Sequence, residues 1–358
     1  MARKNRTVVP DAIYHVSSVT VNREPYLSDP QFKDRIVDWI YGIADFSGIE
    51  VLAWSILEDR LDLYVHVPNV PRQLRTKSTV PASYAFGMRP PECNVPLWED
   101  PPIDGDSPRK MRPDLNFWLT DEEMYEKLNY LYAETNGVAV IRRRWQRWRR
   151  KGNDEMVDEE KSRFCRRMYN VTQYMKTLKE RIVCQYRRNH RQTGHFWEER
   201  FRSAVVENAP EVVQNAVADI DYAPIRSGCR TSQFRWNSFF RACGGHAHSE
   251  RCRKGYEKIY GCSWNRAKKL VQMIFSDSPR QAGSESTTKK GPCTRLRVSQ
   301  AIKHEVPVLS KGAFIGISDS FIQFIRHAVP VGFPGSSVER DVNRCRMMRW
   351  ITAENLAA

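Results

Sequence analysis

The chain lacks any run approaching the ~20 consecutive apolar residues a membrane-spanning helix needs. No apolar stretch follows its basic start, MARKNRTVVP, so a secretory leader is not expected. Glycine-rich phosphate loops and dinucleotide fingerprints are absent, as is any internal repeat. Cysteine is sparse and odd in number: nine residues scattered from Cys93 to Cys345, which suit free thiols in a reducing cytoplasm better than a disulfide framework. Acidic residues are in short supply too, 42 against 57 Lys and Arg, leaving a formal charge of +15 over 358 residues. Hydrophobic residues make up 41% and aromatics 11%, enough for a packed core, so wholesale disorder is excluded. These bounds describe a basic, cytoplasmic, globular protein of one large decorated domain or two smaller ones.

The charge is unevenly placed, and its location bears on partners rather than on fold. A net +11 falls in the 61 residues from Arg142 to Arg202. The run from Arg142 to Arg150 interleaves cations with Trp145 and Trp148. Cations can neutralise phosphates, and flat rings can stack unpaired bases. The plainer alternative is a solvated helix whose two indoles, three residues apart, pack on a neighbour. Within this segment the candidate nucleic-acid contacts are Arg142, Arg143, Arg144, Arg147, Lys176, Lys179, Arg187, Arg188, Arg191, Arg200 and Arg202. Trp197 and Phe201 suit the core as well as they suit a ligand. Phosphate contacts and stacking serve RNA as well as DNA.

Periodicity supplies the elements. Residues 12–21 have strand composition, and Phe32, Ile36, Ile40, Ile43 and Phe46 keep a helical spacing that Gly48 should end. Residues 49–57 and 60–67 read as two strands joined tightly at Glu58-Asp59. Ten of the 20 prolines lie between Pro68 and Pro113, so an irregular excursion is expected there. Thr120-Asp121-Glu122-Glu123 signals a helix start, opening a helical region to about Asn189 with an acidic break at 152–160. A short strand at 203–208 and a helix from Pro210 to about Ala223, stopped by Pro224 and Gly228, follow. The domain plan is 7–67 and 119–245 as two halves of one unit, 68–118 as an insertion, 246–294 as a polar connection, and 295–358 as a small extension.

Three segments carry a resemblance: VVPDAIYHVSSVTVNREPYL (8–27), GIEVLAW (48–54) and HFWEERFRSAVVENAPEVVQNAVADIDYAPIRSG (195–228). RWNSF (235–239) and VLSKGAFIGISDSFIQFI (308–325) add to it. Together they resemble the REP-associated tyrosine transposases, single-domain members of the HUH superfamily of single-strand DNA transposases. The resemblance implies an α/β (α+β) sandwich, a mostly antiparallel sheet with a ferredoxin-like core flanked by helices, with helical extensions. It also implies single-stranded or hairpin DNA as partner, homodimerisation, and a divalent metal held by a His-x-His pair on a central strand. In such a family, a helix tyrosine attacks the phosphate and forms a covalent ester.

This chain departs from that pattern at each chemical position. Aligned on Trp54 and Pro68, the two histidine positions hold Arg60 and Asp62. The tyrosine position in Asp219-Ile220-Asp221-Tyr222-Ala223-Pro224 holds Asp219, and the turn asparagine is Ala223. His66 shares a strand face with Asp62 but lies about 13 Å away at ~3.3 Å per residue, too far to replace a ligand. His15 reads as structural, and Tyr174 and Tyr186 as packing residues. Glu58 and Asp62 flank Arg60 and could hold Mg²⁺ only if the guanidinium did not claim them first. Tyr222, three residues after Asp219, is the substitute nucleophile of the alternative reading, an active transposase with carboxylate-bound Mg²⁺ or Mn²⁺. Cys243, His246, His248 and Cys252 have ligand types zinc accepts, in a spacing that fits no standard zinc motif. Cys165 and Cys184 have no neighbouring base in the sequence. The expectation is a transposase-like DNA-binding protein without the family's cleavage chemistry, and without a cofactor.

Overall fold

The computed structural model describes residues 11–69, 119–132, 135–191, 194–226, 234–276, 313–315 and Ser318. The proline-rich insertion, the linker from 277 and nearly all of the C-terminal extension lie outside these residues.

The fold is α+β. Strands β1 (Ala12–Val19), β2 (Glu50–Ile56), β3 (Arg60–Val67) and β4 (Arg202–Val206) pair antiparallel, and β5 (Ala313–Ile315) adds in parallel beside β4. The spatial order is β2-β3-β1-β4-β5. One α-helix, α1 (Pro30–Ser47), separates β1 from β2, and among the described residues four lie between β3 and β4: α2 (Asp121–Tyr132), α3 (Gly137–Arg150), α4 (Asp154–Cys165) and α5 (Val171–His190). After β4 come α6 (Pro210–Arg226), α7 (Ser238–Cys243), α8 (Ser249–Tyr260) and α9 (Trp264–Ser276). No helix among the described residues is long and apolar enough to cross a membrane.

Period-2 alternation gives the sheet two buried faces. Tyr14 and Val16 of β1 with Leu61, Leu63 and Val65 of β3 enter the larger core, under α1 and α5. Ile13, Tyr64, Ala204 and Val206 face the other way and pack beneath α6, α8 and α9. Helix α1 starts where Asp29 accepts from the backbone amides of Gln31 and Phe32, and it ends at Gly48 with φ 66°. A Cβ at Gly48 would also lie 2.7 Å from the Tyr169 ring, so that position needs glycine twice over. Burying Phe32, Ile36, Ile40 and Ile43 contributes roughly 1.5–3 kcal/mol each. Thr120 and Glu123 form the expected capping box: the threonine hydroxyl accepts from Glu123 N at 3.2 Å and Thr120 N donates to the Glu123 carboxylate at 2.7 Å.

Three expectations fail. The acidic stretch 152–160 is a break only up to Asn153, because its carboxylates sit on α4 and neutralise arginines of α3. Residues 249–276 are two amphipathic helices closing the second face, with Cys252, Tyr256, Ile259, Ala267 and Val271 buried, rather than a polar connection. Helix α6 runs through Pro224 to Arg226. Proline there has no N–H for the carbonyl four residues back. Asn237 supplies the missing donor, its side-chain amide reaching Ile220 O at 3.3 Å.

Candidate functional site

Side chains two apart on a strand share a face, so Arg60, Asp62, Tyr64 and His66 all project toward the α6 side of β3. Register extends this face across the sheet. Asp62 lies between Ser55 of β2 and Ser17 of β1, and Ser17 in turn faces Arg202 of β4. In the adjoining row, Tyr64 faces His15 and His15 faces Ala204. A polar band thus crosses one end of an otherwise apolar face.

Asp62 is the buried centre of that band, and its carboxylate lies 2.6 Å from Arg60 Nε and 3.9 Å from His15 Nε2. The His15 ring stacks on Tyr64, with centroids 4.6 Å apart and 12° between planes. Among the described residues neither nitrogen of this buried ring has a hydrogen-bond partner, and burial holds its pKa below 6.5 against the raising pull of Asp62 and Asp219. Burial raises the Tyr64 phenol well above 10, helped by the same two carboxylates. Asp62 first, and Asp219 after it, raise the Arg60 guanidinium, so Asp219 on α6 belongs to this cluster although 157 residues separate it from Asp62. Of the three departures from the family pattern, Arg60 and Asp62 therefore pair directly, and Asp219 acts on them through its charge. Chemically the cluster holds a fixed cation between carboxylates and a neutral imidazole.

The other candidate nucleophiles and ligands are engaged elsewhere. Tyr222 is 2% exposed, buried on α6, so its hydroxyl does not reach a surface where DNA could lie. Tyr174 is buried and donates to Ile40 O at 3.0 Å. Tyr186 packs among Tyr26, Phe32 and Phe196. His66 bridges Asp11 at 2.9 Å and Glu50 at 2.6 Å, with Lys258 on the same carboxylate. The Cys-His string does not gather: His248 bonds Asp38 at 2.9 Å, Cys252 contacts the Tyr41 hydroxyl at 3.2 Å, and Cys243 and His246 are exposed. Among the described residues no group of three or more His, Cys, Asp or Glu side chains is arranged to hold a metal ion.

The basic residues fall into two groups rather than one patch. Segment 196–198 pairs with the end of β1, through Val21 N to Phe196 O and Glu198 N to Val19 O, so the approach to β4 lies at the polar end of the sheet. Arg187, Arg188 and Arg191 at the end of α5, with Arg200 and Arg202, belong there. Arg187 donates to Gly194 O at 2.7 Å, and Arg202 pairs with Glu199 at 2.9 Å. Lys179 lies 4.9 Å from the Trp197 ring and donates to Glu199 O, and Lys176 is 3.9 Å from Glu180. Phe201 is core.

The arginines of α3 lie apart. This helix packs on α2 and α4, and α2 packs on α1, on the opposite side of the sheet from α6. Arg142 pairs with Glu122, Arg144 with Glu160, and Arg149 with Asp121, Asp154 and Asp158. Trp145 is fully buried, its indole donating to Glu160 at 2.8 Å, so it is a core residue and no stacking platform. Trp148 is half-buried.

Comparison of the chain with protein-family models, with curated proteins and with solved structures finds no match in any of the three.

The residues missed by sequence reasoning form a buried relay behind the cluster. Trp54 N donates to Ser238 Oγ at 3.0 Å, Ser238 and Tyr256 hydroxyls meet at 3.1 Å, and Tyr256 donates to Asp221 at 2.6 Å. Burial raises Asp221 from 3.8 to about 7, against the lowering effect of its bonds to Tyr256 and Asn237. The relay ties the 219–224 string to the 235–239 string, and Tyr256 lies in the stretch whose composition suggests a connector.

Proposed function

We propose that this chain is a DNA-binding protein of the REP-associated tyrosine transposase type, built on a ferredoxin-like core, that holds single-stranded or hairpin DNA and does not cleave it by the family route. One observation carries the reading. Arg60 and Asp62, chosen by sequence resemblance alone, form an ion pair on one face of β3, and the charge of Asp219 on α6, chosen the same way, acts on Arg60 and on His15 beside it. A guanidinium whose Nε lies 2.6 Å from Asp62 competes with any divalent ion for the same oxygen. A carboxylate in the attacking position is repelled by a phosphodiester. The arginines at the same end of the sheet, Arg187, Arg188, Arg191 and Arg200, offer phosphate contacts that carry affinity without base specificity. The burial of Tyr222 weighs against the alternative of a rewired active transposase.

The test incubates the full chain with labelled hairpin-bearing single-stranded DNA and Mg²⁺ or Mn²⁺, resolving half on a native gel and half in SDS. The expected result is a native shift without an SDS-resistant adduct or a cut strand. An adduct or nick overturns the loss of catalysis, and no shift at low salt overturns DNA binding.

A further inference from the structure

Helix α3 sorts its cations by direction. Arg142, Arg144 and Arg149 are spoken for by the acidic residues of α2 and α4. Arg143, Arg147 and Arg150 are exposed and have no acidic partner among the described residues; Arg143 bonds only to Ala139 O of its own helix. At about 100° per residue, Arg144 lies about 40° from Trp148 around the helix, Lys151 about 60°, Arg147 about 100° and Arg143 about 140°, all to one side. Trp148 therefore stands at the seam between the buried flank, where Ile141 and Trp145 lie, and an unpaired cationic stripe.

A groove of about 340 Å³ opens at that seam, lined by Arg144, Trp148, Met156, Glu159, Glu160 and Arg163. Its polar walls are two closed ion pairs, Arg144 with Glu160 and Arg163 with Glu159 at 2.6 Å, so neither glutamate presents an uncompensated charge. The Arg144 guanidinium sits 5.5 Å from the Trp148 ring centre. A planar ring, a flanking guanidinium, a thioether and both donor and acceptor edges match one flat heterocycle. A cationic stripe alongside matches the strand that carries it. We infer that this groove takes one unpaired base of single-stranded DNA, stacked on Trp148, while Arg143, Arg147, Arg150 and Lys151 hold the flanking phosphates. The inference rests on the DNA-binding reading but uses different residues, across the sheet from the Asp62 cluster.

The experiment measures fluorescence anisotropy of the full chain with a hairpin-free oligodeoxythymidine, and with the same strand carrying abasic sites. Trp148→Ala is expected to bind about 5- to 100-fold more weakly, and Trp148→Phe within about threefold of the parent, because a phenyl ring still stacks. Abasic sites should weaken the parent chain and not Trp148→Ala, which keeps the test decisive if the alanine variant is poorly folded. A 5-iodo-2′-deoxyuridine strand should crosslink between residues 143 and 163. Equal affinity for intact and abasic strands, or crosslinks confined to 187–202, overturns the groove and leaves the DNA-binding reading standing. No binding of this strand or of the hairpin-bearing one overturns both.

Discussion

Arg60 and Asp62 point from the same face of β3, and the guanidinium Nε lies 2.6 Å from a carboxylate that is almost wholly enclosed. Removing one member strands the other. Arg60→Ala should destabilise the fold by roughly 2–4 kcal/mol, toward the low end of buried-pair breakage because the arginine itself is partly exposed. Arg60→Ala with Asp62→Ala should cost less than the two single changes added together. Urea titration of the four proteins measures the coupling; additive losses would mean that the pair does not bind its own charges.

Asp221 makes a prediction of unusual sign. Its carboxyl holds a proton more readily in the folded chain, at about 7, than at its ordinary 3.8. Its contribution to stability is therefore full below about 3.8 and is lost as pH rises through about 7. Most carboxylates act in the opposite direction, as Glu50 does: His66 chiefly, with Lys258, holds it at about 2, so its contribution is lost as pH falls from 4.5 toward that value. Asp221→Asn keeps an acceptor for Tyr256 and removes the titration. Its urea midpoint should change less between pH 4 and 8 than the parent's, with the relative gain of the variant largest at pH 8.

Besides its bond to Asp221, Asn237 is asked to do two things at once. Its Oδ1 caps α7 through the amides of Phe239 and Phe240, and its Nδ2 satisfies the Ile220 carbonyl that Pro224 leaves open. Alanine loses a cap, at about 0.5–2 kcal/mol, and leaves a buried carbonyl unpaired, at about 1–3 kcal/mol. Asn237→Ala should thus lose more than a cap alone. Adding Pro224→Ala should recover part of the loss by restoring an amide to the helix. No recovery would detach Asn237 from the proline.

How much of this is legible in the residues depends on the range of the interactions. Strands β1 and β3, helix α1 and the Thr120 cap follow from period and local chemistry, because a two-sided strand or a capped amphipathic helix carries its signal within a few residues. The α3 arginines mislead, since charge counted along the chain takes no account of Glu122, Asp121 and Glu160, which reach them from other helices. Pro224 misleads for a related reason: its rescue comes from Asn237, 13 residues later. That Arg60, Asp62 and Asp219 act on one another is reachable only through resemblance. The stack of His15 on Tyr64 needs the β1–β3 register, which fixes which residues of two strands face each other. Tyr256 has a usable signal, since Cys252, Tyr256 and Ile259 keep helical spacing inside the stretch whose composition suggests a connector.

Salt dependence tests whether the strand lies at this end of the sheet. For a single strand, every phosphate that the protein ceases to neutralise should flatten the plot of log affinity against log salt by about 0.7. Arg188 is exposed, and Arg187, which donates to Gly194 O, keeps its charge at the same helix end. Replacing both by alanine should flatten the slope by about 1.4 if each holds one phosphate. Tyr222→Phe should leave slope and affinity unchanged, because its hydroxyl is buried away from any strand. Anisotropy titrations between low and moderate salt measure both. An unchanged slope in the double variant would move the DNA off this end of the sheet. A Tyr222→Phe variant that abolished a covalent adduct formed by the parent would restore the transposase reading in place of the one preferred here.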